Sequence, residues 1–550
     1  MLKAALVFGA VLITGHASAE SSVDQRPLWE RIAAEEARER AKDMAAPAAS
    51  TTDSKRRGNV IFLHPDGSGP AMWQAGRVYW KGPDGNLFWD RLPYKALYRG
   101  HANDRRSSGT KGLTMSSNGG ATTHAFGFKV QAEDSFGQDG SRPITALSGY
   151  RGSIMREAAN NGHPVGVVND GDLPEPGTGA FLAEVSRRGE AAEILEQMIF
   201  GRPGMNDRQP IVLLGGGEAF ALPAGTPQCA SGVIADNCYL HSDPVTGAGP
   251  ERKDGRNLIQ EAKAAGFVVL RTRGEFEALL EQLKLRPQYA PKVLGLFARD
   301  DIFNDVPEER LIELGLVKGG VAADEKRGRL ILYGTPEGTP GFDPPTAAEM
   351  TELALIVLER SAATAGKPFM LVAEVEGTDN FANSNNAVGS LVALKNADDM
   401  IAVSRMFQER VPDTLILTAA DGDAGQMTVL SEPPLDASNN AVGTVNYNPT
   451  EVASLPEFRA PVDGIEGRAT PPFQAEPDDF GIVYPFAIAW IGTDDDYGAI
   501  VGRAQGLNAR LLQSEFAARF DNTDVFRMMY LTLFGRFLPP AYGRSAATRP

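Results

Sequence analysis

Two features of this chain could do chemistry. One is a serine inside Met115-Ser116-Ser117-Asn118-Gly119-Gly120-Ala121-Thr122-Thr123-His124-Ala125-Phe126-Gly127-Phe128-Lys129; the other is a series of carboxylates that directly follow short apolar runs. Small residues crowd the front of the serine stretch, and a helix-compatible run follows. A serine at such a loop-to-helix junction aims its oxygen at the positive end of the helix dipole, where anions such as phosphate bind. Ser116, Ser117 and Asn118 are also strong capping residues, so a plain helix cap is the competing reading. The acids are Asp66 after 59–63, Asp170 and Asp172 after 164–168, Asp300 and Asp301 after 292–297, Glu376 and Asp379 after 369–375, and Asp421 and Asp423 after 414–418. Acids crowded at strand ends repel one another unless a cation is shared between them.

The elements that must position these residues read as an alternation. The runs at 59–63, 164–168, 211–214, 292–297, 369–375 and 414–418 are short, apolar and β-type, and each ends in an acidic or glycine loop. Helical periodicity fills 151–161, 179–199, 256–266, 274–284, 346–365 and 388–409. Strand, loop and helix in repetition predict an α/β fold with a mostly parallel central sheet and helices on both faces. Ligands of such sheets gather beyond the carboxyl ends of the strands. Residues 1–19 read as a signal peptide, 20–57 as an N-terminal helix and linker, 58–540 as one catalytic domain and 541–550 as a tail. Loop-rich insertions at about 302–345 and 430–482 could roof a site.

Composition narrows the class. The 550 residues are 42% hydrophobic and 23% charged, as in an ordinary globular protein. A net charge of −16 argues against a nucleic-acid partner. Either a solvated surface or carboxylates around cations would explain the acidity. Lys3, the apolar run that follows and Ala17-Ser18-Ala19 fit a secretory signal cleaved after Ala19, and that run is too short to span a bilayer. The expected location is periplasmic or secreted. The two cysteines, Cys229 and Cys238, then suit a disulfide closing a small loop; a reduced pair is the alternative, and His241 is the one nearby partner for a metal role.

The motifs together resemble the alkaline phosphatase family. Residues 59–69 are similar to its opening metal-binding strand, and the Ser117 stretch to its nucleophile segment. Segments 214–220, 293–297, 375–377 and 521–526 follow in the family's order, so the resemblance covers roughly 59 to 535. It implies a metal-dependent phosphomonoesterase in which Ser117 attacks phosphorus and a phosphoserine is then hydrolysed. By position it also implies that Asp66 bridges two metals, that Glu175 and Glu376 serve a third, and that Arg188 clamps phosphate in a fork. The hydroxyl expected two residues after Glu175 falls on Gly177, so Thr178 or a water must substitute. A plain turn for Asp66 and a surface role for Arg188 are the rival readings.

The departures bear on the metal. The family's Asp and the His four residues later become Asp379 and Asn383, and Asn383 could instead cap the next helix. Its Thr-Ala-Asp-His becomes Thr418-Ala419-Ala420-Asp421, with Asp423 close behind, and a late His-x-Gly becomes Asp496-Tyr497-Gly498. Asp496 could also be a solvated acidic turn. All six histidines precede residue 250, and His64 and His124 read as structural or supporting groups. Carboxylate and amide oxygens favour hard cations, so Ca²⁺ or Mg²⁺ is expected over Zn²⁺, with Mn²⁺ also compatible.

Three functions compete: a phosphomonoesterase acting on a small phosphate ester, a phosphodiesterase with the same site, and an inactive phosphate- or calcium-binding relative. Ala420 and the lost histidines favour the last; Ser117 and the retained acids oppose it. Dimers are common in the resembling family, so a homodimer is among the expected states.

Overall fold

The computed structural model describes residues 24, 26–43, 56–102, 113, 115–131, 136–243, 246–303, 344–430, 462–463 and 473–542. The expected signal peptide, most of both insertions and most of the tail lie outside the described residues.

A ten-stranded sheet carries the molecule. Its strands are β1 (Asn59–Pro65), β2 (Tyr94–Arg99), β3 (Val165–Asp172), β4 (Val212–Gly216), β5 (Phe267–Leu270), β6 (Lys292–Leu296), β7 (Met370–Val375), β8 (Thr414–Thr418), β9 (Ile500–Gly506) and β10 (Phe520–Asp521). They lie in the order β10-β2-β9-β8-β1-β7-β3-β4-β6-β5. From β8 to β5 every pairing is parallel, whereas β9 runs antiparallel to both β8 and β2. Each of the six expected strands is present, and the sheet is the mostly parallel one that the alternation predicts. β2, β5, β9 and β10 extend it past the strands read from sequence.

Period-two alternation divides β1 between two cores. Ile61 and Leu63 pack toward helices Ala347–Ala365 and Ala387–Arg410. Val60 and Phe62 pack toward helices Ser117–Phe126 and Asn522–Phe534. Both faces of the sheet are therefore covered, which explains why its central strands are apolar throughout rather than alternating with polar residues.

The helices expected at 151–161, 256–266, 274–284, 346–365 and 388–409 form within a few residues of those bounds. The one expected at 179–199 is confined to Ala191–Phe200. The Val185 N–H bonds instead to the Phe136 carbonyl as part of an isolated bridge, and Gly189 follows. Before the sheet, Leu28–Asp43 is helical as expected. Cys229 and Cys238 form a disulfide.

Candidate active site

The central strands β8, β1, β7 and β3 end together, and their carboxyl ends build the site. Register places Glu374 of β7 between His64 of β1 and Asn169 of β3. His64 Nδ1 lies 3.1 Å from Glu374 Oε1, and Asn169 Nδ2 donates to Glu374 Oε2 at 2.7 Å. All three side chains are fully buried. Gly177 is what lets this row fit: a Cβ there would fall on Glu374 Oε1 and 2.5 Å from His64 Nδ1.

Asp66 follows β1 and meets the serine. Ser117 is the first residue of its helix; Ser116 occupies the extended N-cap position without capping and bonds Asn118 Oδ1 at 2.9 Å. Ser117 and Asp421 instead stand beside Asp66, and both act to keep its carboxylate ionised. Small residues in the helix have a spatial reason, because a Cβ on Gly120 would collide with the Asp421 side chain. His64 Nε2 stands 3.5 Å from Asp66 Oδ1 and 3.8 Å from Asp421 Oδ1, beyond hydrogen-bond range.

Beyond Asp66, Glu376 begins the turn after β7, and Asp379 lies in the short helix Gly377–Asn383. Asp170 Oδ1 accepts from the Glu376 and Gly377 N–H groups and so holds that turn. Carboxylate oxygens of Asp66, Glu376 and Asp379 lie within 4.8 Å of one another. Asn383 Nδ2 donates to Asp379 Oδ2 at 2.9 Å and to Asp495 Oδ1 at 3.1 Å. Asn386, not Asn383, caps the following helix by accepting from the Gly389 N–H.

The electrostatics are those of acids crowded out of water. Burial, followed by the charges of Glu175 and Glu374, drives Glu376 well above the carboxylate range. Burial and then Asp495 and Asp66 do the same to Asp379, while burial and Asp66 do so to Asp421. Burial likewise pushes Glu374 up to about 7, against the pull of His64. Asp66 is lowered: burial opposes its charge, but His64, the neighbouring Asp421 and Ser117, and the Gly67 N–H that donates to it outweigh that cost. Burial also opposes charge on His64, yet Asp66 and Glu374 raise its pKa.

Asp66 Oδ2, Glu376 Oε2, Asp379 Oδ1, Asn383 Oδ1 and both Asp421 carboxylate oxygens are buried without a hydrogen-bond partner. Orphaned oxygens are rare in folded proteins, and this many converging on one place fit divalent cations.

The remaining expected residues flank this centre. Glu175 joins Asp172 and Asp301 in a neighbouring acidic group, its carboxylate bonded by Arg188 Nη2 at 2.9 Å. Arg188 is half-exposed, and its pKa is raised first by Glu175, then, against burial, by Glu376, Asp379 and Asp66. Thr178 donates its hydroxyl to the Leu173 carbonyl at 3.1 Å and lies buried. Asp423 faces Asp496 across a two-residue ribbon, and burial with the Asp496 charge pushes it to about 7. Asp421 is therefore the acid brought to Asp66, and Asp495 the one brought to Asp379 and Asn383. His124 bonds the Tyr98 hydroxyl at 2.7 Å and packs edge-on to Phe62.

Sequence reasoning passed over His64, Glu374 and Asp495 as site residues. Glu374 sits inside an apolar run, where a lone buried acid was the available signal. Asp495 differs from Asp496 only in which side of a ribbon it takes.

Residues 57–451 match the sequence profile of the alkaline phosphatase family. The streptomycin-6-phosphate phosphatase of Streptomyces griseus is 30% identical over 400 residues, covering 70% of this chain and 78% of that protein. The alkaline phosphatase of the Antarctic bacterium TAB5 superposes with a TM-score of 0.55 at 16% identity, over 87% of this chain and 98% of that one. The Thermus thermophilus alkaline phosphatase does so at 0.55 and 18% identity, over 88% and 93%.

Proposed function

Since the chain belongs to the alkaline phosphatase family and is a phosphate-ester hydrolase, we propose that it is an exported phosphomonoesterase working through a phosphoserine at Ser117. One observation carries the reading: the Ser117 hydroxyl, at the first turn of a helix, stands beside an ionised Asp66 inside a buried group of acids with orphaned oxygens.

Asp66, held ionised, orients the Ser117 oxygen. Backbone N–H groups of the first helical turn and the Arg188 guanidinium receive the phosphoryl oxygens. Ser117 gives up its hydroxyl proton as the Oγ–P bond forms and the bond to the departing alcohol breaks, and the alcohol oxygen takes up a proton from solvent. Water then cleaves the Oγ–P bond, releasing inorganic phosphate. Asp66, Asp421, Glu376, Asp379, Asn383 and Asp495 would hold divalent cations, with Glu175 at the margin. When bound, such cations lower the nucleophile's pKa and offset charge on the leaving oxygen.

The oxygen-rich donor set favours Ca²⁺ or Mg²⁺. The signal-like residues 1–19 and the disulfide support export. A relative named for streptomycin 6-phosphate supports a small, soluble monoester as substrate.

The test is hydrolysis of an aryl phosphate by chelator-stripped protein after return of single metals, with Ser117→Ala as control. Mg²⁺ or Ca²⁺ should restore turnover, and Ser117→Ala should lower kcat at least ~10³-fold. Restoration by Zn²⁺ alone would overturn the choice of metal. Equal rates for the wild type and Ser117→Ala would overturn the nucleophile.

A further inference from the structure

We propose that His64 is itself a metal ligand: its Nε2 joins Asp66 and Asp421 on one cation, while its Nδ1–H is held by Glu374. The proposal rests on the metal-dependent reading of the site and deepens it. The resemblance places no metal donor at residue 64.

Four observations support it. His64 is fully buried, and its Nε2 has no hydrogen-bond partner. That nitrogen points at two carboxylates whose nearest oxygens stand 3.5 and 3.8 Å away. Atoms bound about 2.1 Å from a common cation are separated from each other by roughly 3–3.5 Å, so these gaps suit shared coordination and are too wide for hydrogen bonds. Secondly, both Asp421 oxygens and Asp66 Oδ2 are orphaned in the same place. Thirdly, the far nitrogen is already engaged. Glu374 Oε1 lies 3.1 Å from Nδ1, and Asn169 fixes the other Glu374 oxygen at 2.7 Å. A carboxylate on one imidazole nitrogen fixes the tautomer and strengthens the other as a ligand. Fourthly, Gly177 leaves free the volume that this histidine–glutamate pair occupies.

The consequence is a division of the site. The position at Asp66, Glu376 and Asp379 is lined by oxygen alone. The position beside Ser117 carries one imidazole, supplied from the end of β1 and not from the loop after β8. A nitrogen donor makes that second position the more tolerant of borderline metals.

The test is imidazole nitrogen NMR of the full-length protein with ¹⁵N-labelled histidine, titrated with Zn²⁺ as a diamagnetic probe. His64 should lose the proton on Nε2 and keep the one on Nδ1. Paired with it are Co²⁺ affinity measurements on His64→Gln and Glu374→Gln. Binding at one position should weaken about 100-fold or more in the first variant and ~10–100-fold in the second. A proton that stays on Nε2 at metal saturation, or Co²⁺ affinity in His64→Gln within a factor of three of wild type, would overturn the proposal. If the wild type hydrolyses its ester with metal bound while His64 keeps both protons, this inference alone fails. If the wild type binds no divalent cation, the reading beneath it fails.

Discussion

Glu374 stands directly across from His64 on the neighbouring parallel strand, and their side chains meet at 3.1 Å in a fully buried row. The pairing is a property of register. A slip of one residue would turn Glu374 to the opposite face, into the aliphatic core beneath helix Ala387–Arg410.

Gly177 should be intolerant of substitution. A Cβ there would land on Glu374 Oε1 and near His64 Nδ1, and neither group has a buried alternative. Gly177→Ala should cost about 1–3 kcal/mol in denaturant unfolding and weaken divalent-cation binding in parallel. Gly177→Thr, which supplies the hydroxyl expected at this position, should be worse.

Asp495 and Asp496 should separate cleanly. Asp495 accepts from Asn383, which also donates to Asp379, whereas Asp496 faces Asp423 across the ribbon. Isothermal titration with Mg²⁺ should show Asp495→Ala losing roughly tenfold or more in affinity, and Asp496→Ala staying within about threefold.

Arg188 should act on binding more than on turnover. Its guanidinium is anchored by Glu175 at 2.9 Å and is half-exposed, and the charges of Glu376, Asp379 and Asp66 act on it. In steady-state kinetics Arg188→Ala should raise KM roughly 10–100-fold with a smaller change in kcat. Arg188→Lys should recover only part of this, since lysine lacks the planar fork.

The metal-free protein should be less stable at higher pH. Burial holds Glu374 and Asp423 at about 7 in the folded chain, against roughly 4 when unfolded. Between those values the folded state keeps protons that the unfolded state has released, so stability is full below about pH 4 and falls as pH rises toward 7. The raised pKa of His64 acts in the same direction. Calorimetry of chelator-stripped protein should give a Tm lower by ~5 °C or more at pH 8 than at pH 5. Saturating divalent cation should shrink or reverse the difference, because it takes the place of those protons.

Much of this was legible in the chain. Each apolar run at 59–63, 164–168, 211–214, 292–297, 369–375 and 414–418 is a strand, because a sheet covered on both faces needs continuous apolar strands. Ser117, Asp66, Glu376 and Asp379 stand together because each occupies a strand end or a helix start, and the fold brings those ends to one edge. The 179–199 segment was misread because its helical periodicity could not reveal the Val185–Phe136 bridge, a contact across 49 residues.

Local patterning by itself determined the α/β class, the strand-end acids and the serine at a helix start, since periodicity and turn chemistry act over a few residues. Tertiary structure alone decided which acids face one another. Asp421 rather than Asp423 reaches Asp66, because Gly120 lets the helix come close. Asp495 rather than Asp496 reaches Asp379, because ribbon pairing alternates sides. His64 became part of the site only when register set it opposite Glu374, with its free nitrogen turned toward two carboxylates. Such choices depend on pairing between segments hundreds of residues apart, where one residue of slip reverses every side chain.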